Sequence, residues 1–184
     1  MSPTMGTETN SEVVALVGSP NSGKTTLFNW LTNRKYKTVN YPGVTVEYSV
    51  APIAPQWGGC ARVMDTPGTY SLIPKSEDEE VTCHALFLHS EFGPIKKVVV
   101  VVDATQLARH LTLAKQLIES GFKVIIALTM SDLIRKSGQR IDVHHLSQAL
   151  SCPVILIDGL LGGGVAELVK IGRASCRERV LRLV

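Results

Sequence analysis

Residues 18–25 have the sequence Gly-Ser-Pro-Asn-Ser-Gly-Lys-Thr, and this stretch decides the fold. It follows a valine-rich apolar run, residues 13–17, that predicts a buried strand, and it leads into residues 25–32, which predict a helix. A glycine loop between a strand and a helix, closed by Gly-Lys-Thr, is typical of phosphate-binding loops. The backbone N–H groups of such a loop and the helix N-terminus surround phosphate oxygens. The stretch therefore predicts a nucleoside polyphosphate site.

The side chains of this loop have separable expected roles. Lys24 is expected to reach the β- and γ-phosphates, and the Thr25 hydroxyl to hold Mg²⁺. The other residues expected around the phosphates are Gly18, Asn21, Ser22, Gly23 and Thr26. The alternative, an ordinary glycine-serine turn before a helix, leaves the strand–loop–helix context unexplained.

Apolar runs alternate with amphipathic stretches along the rest of the chain. The runs that predict parallel strands are residues 61–64, 98–102, 124–128 and 153–157. The stretches that predict helices are residues 79–89, 106–120, 143–150 and 165 onward. Residues 46–51 alternate in polarity and predict an antiparallel edge strand, joined to the next strand through the Pro- and Gly-rich residues 52–59. We expect an α/β P-loop NTPase fold with a mostly parallel, doubly wound sheet.

Length and composition indicate one globular domain. The chain has 184 residues, 45% of them hydrophobic, and a net charge of +3. We expect a disordered N-terminus over residues 1–11, one nucleotide-binding domain over 12–171, and a tail of uncertain origin over 172–184. Because positive charge is concentrated in residues 170–184, a nucleic-acid-binding face is not expected. No apolar run reaches membrane-spanning length and no signal peptide is visible, so the chain is expected to be soluble and intracellular.

Cysteine and histidine give no metal motif. The cysteines are widely spaced and are expected to be reduced thiols: Cys60, Cys83, Cys152 and Cys176. His144 and His145 are adjacent in a predicted helix, so they point to different faces and are expected to be solvated.

A second phosphate-site motif follows the predicted hairpin. Residues 64–68, Met-Asp-Thr-Pro-Gly, end a strand and contain Asp-x-x-Gly. Asp65 is expected to hold Mg²⁺ through water, and the Gly68 N–H to meet the γ-phosphate. The tetrapeptide alone is a common turn, and its position at the end of this strand is what favours the functional interpretation.

Three segments together resemble the cytoplasmic GTPase domain of the FeoB ferrous-iron transporters. They are the loop Gly-Ser-Pro-Asn-Ser-Gly-Lys-Thr-Thr-Leu-Phe-Asn, the stretch Asn-Tyr-Pro-Gly-Val-Thr-Val-Glu at residues 40–47, and Asp-Thr-Pro-Gly-Thr-Tyr-Ser-Leu at residues 65–72. The resemblance covers about residues 12–170. It implies a regulatory domain that binds GTP and GDP and hydrolyses GTP slowly.

The resemblance also implies roles for single residues in hydrolysis. Thr45 resembles the threonine that closes on Mg²⁺ within switch I, residues 34–46, and switch II would span 66–80. Asn21 matches the family's potassium-binding asparagine, so K⁺ joins Mg²⁺ as an implied cofactor. The catalytic set is then Asn21, Lys24, Thr45 and Gly68. Thr69 stands where other GTPases have a water-orienting glutamine, which favours slow hydrolysis.

The base-recognition motifs depart from the family pattern. Residues 129–132 are Thr-Met-Ser-Asp where the family has Asn-Met-x-Asp. Met130 and Asp132 therefore match the family motif, and Thr129 replaces its asparagine. Asp132 can accept two hydrogen bonds from guanine, whereas Thr129 is expected to weaken the contact to guanine N7 and to the phosphate loop. Asp158-Gly159 replaces Ser-Ala, and the glycines that follow predict a floppy loop. Weak affinity and fast nucleotide release are expected.

The resemblance places such a domain at the cytoplasmic side of the bacterial inner membrane, with a helical regulatory domain and a transmembrane permease as its partners in the full-length protein. No residue of this chain is a credible ferrous-iron ligand, and a homo-oligomer is left open. Two alternatives stand beside this hypothesis: a stand-alone GTPase of ribosome or tRNA biology, and an interaction module that binds nucleotide poorly.

Overall fold

A computed structural model describes residues 12–33, 37–40, 47–59, 61–88 and 94–177. The strands are Val13–Gly18 (β1), Lys37–Asn40 (β2), Glu47–Pro52 (β3), Arg62–Asp65 (β4), Lys97–Asp103 (β5), Lys123–Thr129 (β6) and Val154–Leu156 (β7). The helices are Lys24–Thr32 (α1), Glu77–Phe87 (α2), Leu107–Glu119 (α3), Ser131–Lys136 (α4), Val143–Leu150 (α5) and Val165–Arg177 (α6), with short 3₁₀ turns at Pro55–Trp57 and Ala104–Gln106.

The strands form one seven-stranded sheet in the order β2-β3-β4-β1-β5-β6-β7. Strands β4, β1, β5, β6 and β7 are parallel, and β3 is antiparallel to both of its neighbours. The predicted mostly parallel sheet with one antiparallel strand is therefore confirmed. The prediction that residues 46–51 form the edge strand of the sheet is wrong. Strand β2 lies at the edge and pairs with β3, with Lys37 opposite Val50 and Asn40 opposite Glu47. Strand β2 falls within residues 34–46, the stretch predicted as switch I, and its four residues are too few to show a strand period.

Both faces of the sheet are covered by helices, as a doubly wound fold requires. Along β5 the valines alternate between two buried clusters: Val98, Val100 and Val102 join the cluster that includes α2, α3 and α5, and Val99 and Val101 join the cluster of α1 and α6. This is why the strand is a continuous valine run without polar alternation. Each helix then presents its own apolar stripe to the sheet.

Polar side chains cap the N-termini of two helices. Ser76 accepts a hydrogen bond from the Glu79 N–H at the start of α2, and Asp142 accepts one from the His145 N–H at the start of α5. Such caps satisfy N–H groups that have no partner inside the helix. They explain why both helices begin close to the predicted positions.

The described part of the chain agrees with several simpler expectations. Cys83 and Cys152 are free thiols, and His144 and His145 are exposed on α5. Cys60 lies outside the described residues. No described helix has the length and apolar character needed to cross a bilayer. The predicted tail is an extension of the last helix as far as Arg177, and residues 178–184 lie outside the described part.

The carboxyl ends of the parallel strands carry the phosphate-binding and base-recognition motifs that lie in the described part of the chain. The phosphate loop follows β1, Asp65 ends β4, Thr129 ends β6, and Asp158 follows β7. Strand β1 lies between β4 and β5, which follow it on opposite sides. Ligands of open α/β sheets bind in the crevice formed at such a reversal of strand order.

Candidate nucleotide-binding site

The phosphate loop has a backbone that only certain residues permit. Gly23 has φ 89° and Asn21 has φ 63°, both in the left-handed region that glycine and asparagine tolerate best. A Cβ on Gly18 would lie 2.5 Å from the Val101 carbonyl oxygen of β5. The loop therefore starts in close contact with the central strand, and Gly18 cannot be replaced without a shift.

Three hydrogen bonds from distant segments hold the loop. The Thr69 N–H donates to the Gly18 carbonyl at 2.9 Å. The Thr129 hydroxyl donates to the Ser22 carbonyl at 2.7 Å. Ser19 Oγ lies 2.8 Å from His110 Nε2 of α3. The loop is thus attached to switch II, to the end of β6 and to α3 in this structure.

A compact charged cluster lies at the base of the loop. Lys24 Nζ is 3.7 Å from Asp65 Oδ1, an ion pair too long for a hydrogen bond, and the Thr25 hydroxyl donates to Asp65 Oδ2 at 2.9 Å. Lys24 is buried at 8% exposure. Burial raises the pKa of Asp65, while the charge of Lys24 and the hydrogen bond from Thr25 oppose the rise. The three residues assigned to phosphate and Mg²⁺ are therefore brought together.

Two buried side-chain oxygens, one in this cluster and one in the neighbouring phosphate loop, lack a hydrogen-bond partner among the described residues. Asp65 Oδ1 and Ser22 Oγ have no hydrogen-bond partner within the described part of the chain. Buried polar atoms are nearly always paired, so such atoms indicate a missing ligand or water. Mg²⁺ takes oxygen ligands, commonly one or two carboxylates together with substrate phosphates. The Asp65 carboxylate beside the Thr25 hydroxyl fits that ion. Thr45, the third residue assigned to it, lies outside the described residues.

Switch II packs directly on the phosphate loop. A Cβ on Gly68 would lie 2.7 Å from the Pro20 ring, so the glycine of Asp-x-x-Gly touches the loop tip. Thr69 is fully buried, and its hydroxyl donates to the Ser71 carbonyl at 2.7 Å. Its side chain is therefore engaged with its own segment rather than exposed towards a phosphate.

The segment after Gly68 is attached to two helices. The Tyr70 N–H donates to Glu79 Oε1 of α2 at 3.2 Å, and the Arg109 guanidinium of α3 lies 4.1 Å from the centre of the Tyr70 ring. The Leu72 N–H donates to Gln116 Oε1 of α3 at 2.8 Å. The cation–π contact and the hydrogen bonds fix switch II in this arrangement.

Thr129 preserves the contact to the phosphate loop that its substitution for asparagine was expected to weaken. Its oxygen lies 2.7 Å from the Ser22 carbonyl and 3.1 Å from the Val102 carbonyl, and the residue is 4% exposed. A hydroxyl has one proton, and both neighbours are acceptors. The proton is therefore committed to the protein, and Thr129 has no donor left for guanine N7.

Met130 and Asp132 lie at the start of α4, a six-residue helix that was not predicted. Met130 has φ 57°, and this left-handed residue turns the chain from β6 into the helix. The Asp132 carboxylate pairs with Lys136 one turn later at 3.6 Å, and both side chains are substantially exposed. Such an exposed pair contributes little to stability, so Asp132 is available to a ligand.

The loop after β7 is closed by hydrogen bonds, which corrects the expectation of a floppy segment. Asp158 Oδ1 accepts from the N–H groups of Leu160 and Leu161, each at 2.9 Å. Trp30 Nε1 of α1 donates to the Gly159 carbonyl at 3.0 Å. The aspartate side chain turns its own loop, as Asx motifs do, and thereby offsets the freedom of the glycines. Thr26 of α1 lies next to Gly159 across the site.

Sequence reasoning missed His110, Trp30 and Val102 as residues that shape the site. His110 had a detectable signal: it falls three residues after Leu107 and four before Ala114, on the apolar face of α3, and it is 5% exposed. A polar residue on a buried helical face needs a partner. The sequence did not show which partner, because Ser19 is 91 residues away in the chain.

The family model described as "Ferrous iron transport protein B" matches residues 12–171. The chain belongs to this family. It is 40% identical over 172 residues to the Fe(2+) transporter FeoB of Salmonella typhimurium, covering 91% of this chain and 22% of the transporter. It is 39% identical to the Fe(2+) transporter FeoB of Escherichia coli K12 over the same length. The chain therefore spans about a fifth of the length of these relatives.

Solved structures of FeoB G domains have the same fold. A GDP-bound mutant of S. thermophilus NFeoB superimposes with a TM-score of 0.78 at 40% identity, covering 86% of this chain and 60% of that one. The G domain of the T. maritima FeoB iron transporter gives 0.76 at 36% identity, covering 86% and 94%. The chain is thus an N-terminal G domain of the FeoB family, with the P-loop GTPase fold.

Proposed function

We propose that this chain binds GTP and GDP and hydrolyses GTP slowly, as the nucleotide-dependent regulatory domain of a ferrous iron transporter. The observation that carries the proposal is the cluster of buried Lys24, half-buried Asp65 and Thr25 at the phosphate loop, where the buried atoms Asp65 Oδ1 and Ser22 Oγ have no hydrogen-bond partner in the described part of the chain. A relative at 40% identity has been solved with GDP bound, which supports the choice of guanine nucleotide.

The chain's own groups account for phosphate binding. Lys24 would supply a buried positive charge beside the β- and γ-phosphates, and the first N–H groups of α1, which begins at Lys24, would add hydrogen bonds to the phosphate oxygens. The Gly68 N–H would meet the γ-phosphate, and the close approach of Gly68 to Pro20 at the loop tip supports this role. When bound between Thr25 and Asp65, Mg²⁺ would neutralise charge on the phosphate oxygens. Lys24 and these N–H groups orient the nucleotide whether or not the ion is present.

Base selection rests on Asp132 and on the loop after β7. Asp132 accepts two hydrogen bonds from the N1 and exocyclic amine edge of guanine, and an adenine there leaves the carboxylate unpaired. The Gly159 N–H serves guanine O6 from the ordered loop after β7. Thr129 contributes no donor to N7, because its proton is used on the Ser22 carbonyl. Guanine is therefore preferred, with lower affinity than a complete motif would give.

Slow hydrolysis is expected because no described side chain next to the proposed γ-phosphate position is available to orient a water molecule. The position that carries a water-orienting glutamine in other GTPases is Thr69, whose hydroxyl donates to Ser71. Charge that develops between the β- and γ-phosphates must be met by Lys24, backbone N–H groups and cations. Asn21, exposed at the loop tip, is proposed to ligate K⁺ for this purpose, together with Thr45 closing on Mg²⁺.

The role in transport is proposed from the relatives. They are transporters roughly four times the length of this chain, so further domains accompany the G domain in them. We propose that a helical regulatory domain and a membrane permease respond to the nucleotide state of this domain at the cytoplasmic side of the inner membrane, with domain boundaries at about residues 12 and 171.

Titration with fluorescent mant nucleotides tests the proposal. The chain is expected to bind mant-GTP and mant-GDP but not mant-ATP, more tightly with Mg²⁺ than with a chelator. It should then release phosphate from GTP slowly but above the rate of a Lys24→Ala variant. Equal binding of mant-ATP would contradict the base assignment. No binding of either triphosphate would favour the alternative of an interaction module that binds nucleotide poorly.

A further inference from the structure

The side chain of Trp30 attaches the loop after β7 to helix α1. The Trp30 indole Nε1–H donates to the Gly159 carbonyl at 3.0 Å. A Cβ on Gly162 would lie 3.0 Å from two carbons of the Trp30 ring, so the indole also lies against the loop backbone three residues later. One side chain therefore holds this loop through a hydrogen bond and through a close van der Waals contact.

This attachment is one that the loop does not supply itself. Among the described residues, the other hydrogen bonds of segment 159–163 are with Asp158 and Val165, which flank the segment. The side chains of Leu160 and Leu161 are 87% and 82% exposed, so they bury little surface against the protein. The hydrogen bonds to Asp158 shape the loop, whereas the contact with Trp30 fixes its position relative to α1.

Helix α1 is suited to this task because it starts at the phosphate site. It begins at Lys24, directly after the left-handed Gly23 of the phosphate loop. Thr26 and Trp30 are four residues apart and therefore lie on one face of the helix. A Cβ on Gly159 would lie 3.5 Å from the Thr26 methyl group. The loop after β7 thus lies along one face of the helix whose N-terminus would hold the phosphates.

Gly159 is the residue whose orientation depends on this contact. Its N–H is proposed to meet guanine O6, and this N–H has no acceptor among the described residues. The peptide before Gly159 is held by the Asp158 carbonyl, which accepts from the Gly162 N–H at 2.8 Å. The peptide after it is held by Trp30. Since glycine has the freest backbone of all residues, holding both peptides restricts where the Gly159 N–H can point.

We propose that Trp30 is a positioning residue for guanine recognition: it holds the loop after β7 against α1, so that the Gly159 N–H and the phosphate loop meet the two ends of one nucleotide. The proposal rests on the proposed function, because a guanine nucleotide is the ligand that both groups would bind. Without the attachment, the nucleotide itself would have to order the loop, and that ordering reduces affinity. Trp30 acts mainly by slowing nucleotide release.

Three variants separate the hydrogen bond, the ring contact and a general loss of stability. Trp30→Phe keeps an aromatic ring and removes the N–H, and Trp30→Ala removes both. Trp57→Phe is the matched control, because the Trp57 indole also donates at 3.0 Å, but to the Trp30 backbone carbonyl near the end of α1. Stopped-flow release of mant-GDP is measured for each protein, and thermal melting checks that each variant folds.

The expected release rates differ between the variants. Trp57→Phe should release mant-GDP within about twofold of the unmutated rate, since the attachment of the loop is intact. Trp30→Phe should release it roughly threefold faster, as expected for one partly exposed hydrogen bond. Trp30→Ala should release it on the order of tenfold faster, because the ring contact is lost as well.

Competition by 6-thio-GDP distinguishes a positioning role from a structural one. This analogue replaces O6 with sulfur, a weak acceptor, and keeps the N1 and amine edge that Asp132 would bind. The unmutated chain should therefore bind GDP more tightly than 6-thio-GDP. In Trp30→Ala this preference should shrink towards equality, because the Gly159 N–H is no longer held in place. A merely structural loss would weaken both nucleotides by the same factor.

NMR tests the attachment without nucleotide. The chain has two tryptophans, so its ¹H–¹⁵N spectrum holds two indole signals, and Trp57→Phe assigns them. The Trp30 indole proton should exchange with solvent more slowly than that of free tryptophan, because it is hydrogen-bonded to Gly159. Its signal should also shift when GDP is added.

Several results would overturn the inference. These are a folded Trp30→Ala variant that releases mant-GDP at the unmutated rate, an unmutated chain that binds GDP and 6-thio-GDP equally, or a variant that loses affinity for both by the same factor. Binding of GDP together with free-tryptophan exchange of the Trp30 indole would overturn the positioning role alone. If the indole exchanged slowly but no guanine nucleotide bound, the proposed function would fail, and the role in recognition with it.

Discussion

Replacing Thr129 with valine tests the link between the base-recognition motif and the phosphate loop. The substitution preserves side-chain size and removes the one hydroxyl that lies 2.7 Å from the Ser22 carbonyl and 3.1 Å from the Val102 carbonyl. Thr129 and Ser22 are both buried, so water cannot readily replace the lost donor. The change therefore removes a hydrogen bond without opening a cavity.

The magnitude follows from the burial of this contact. Removing one partner of a buried hydrogen bond costs roughly 1–3 kcal/mol, because the remaining group is left desolvated. The hydrogen bond is present without nucleotide, so part of the cost should appear in the chain alone. We expect the free energy of unfolding to fall by about 1–2 kcal/mol. We expect mant-GDP affinity to fall by roughly tenfold, mainly through faster release.

Urea unfolding of the nucleotide-free chain and stopped-flow mant-GDP release are the two assays. Thr129→Ser is the matched control, since it keeps the hydroxyl and removes only the methyl group that lies against Gly23. The serine variant should lose about 1 kcal/mol of stability, the value of a buried methyl group, and should keep its affinity within about twofold. Equal release rates for the valine and serine variants would refute the reasoning, because the hydroxyl would then contribute nothing to nucleotide binding.

The remaining predictions concern the other site residues. Lys24→Ala should abolish mant-GTP binding, measured by titration, and unchanged binding would refute the phosphate-loop assignment. Asp132→Asn should lose GTP affinity and gain xanthosine triphosphate affinity, and an unchanged preference would mean that Asp132 does not contact the base. GTP hydrolysis should be faster in KCl than in NaCl at equal ionic strength, with the difference lost in Asn21→Ala. Equal rates in both salts for the unmutated chain would exclude the potassium mechanism. Asp158→Ala should speed mant-GDP release several-fold by removing the acceptor that orders its loop, whereas Asp158→Asn should not.

The strand pattern could be predicted because burial on both faces leaves a local signature. Strands β1, β5 and β6 are valine- and isoleucine-rich runs, and each was located to within one residue at either end. Helix α5 was located exactly as predicted, at Val143–Leu150. Strand β2 and helix α4 were missed. Both are short, and each is stabilised by what it packs or pairs with rather than by its own period.

The site could be predicted only as far as its motifs. The spacing of glycines, Lys24 and Asp65 reports directly on chemistry that needs those groups. The contacts that hold the motifs in position are tertiary: Ser19 to His110 spans 91 residues, and Thr129 to Ser22 spans 107. No local pattern encodes such distances. The loop after β7 differs from its prediction for another reason: the Asp158 side chain accepts two backbone N–H hydrogen bonds there, which the glycine content of the loop does not reveal.

Thr129 and Asp158, which replace the family's asparagine and serine in the base-recognition motifs, do not weaken the local structure as the motif comparison predicts. Thr129 keeps the hydrogen bond to the phosphate loop and gives up a donor to the base, while Asp158 orders the loop that it was expected to loosen. Both substitutions therefore preserve the shape of the site. Under the proposed function, the cost of the substitutions falls on the contacts to guanine, for which Asp132 and the Gly159 N–H are the proposed groups. Nucleotide exchange is then expected to be limited by the phosphate loop, which accepts hydrogen bonds from Thr69 and Thr129.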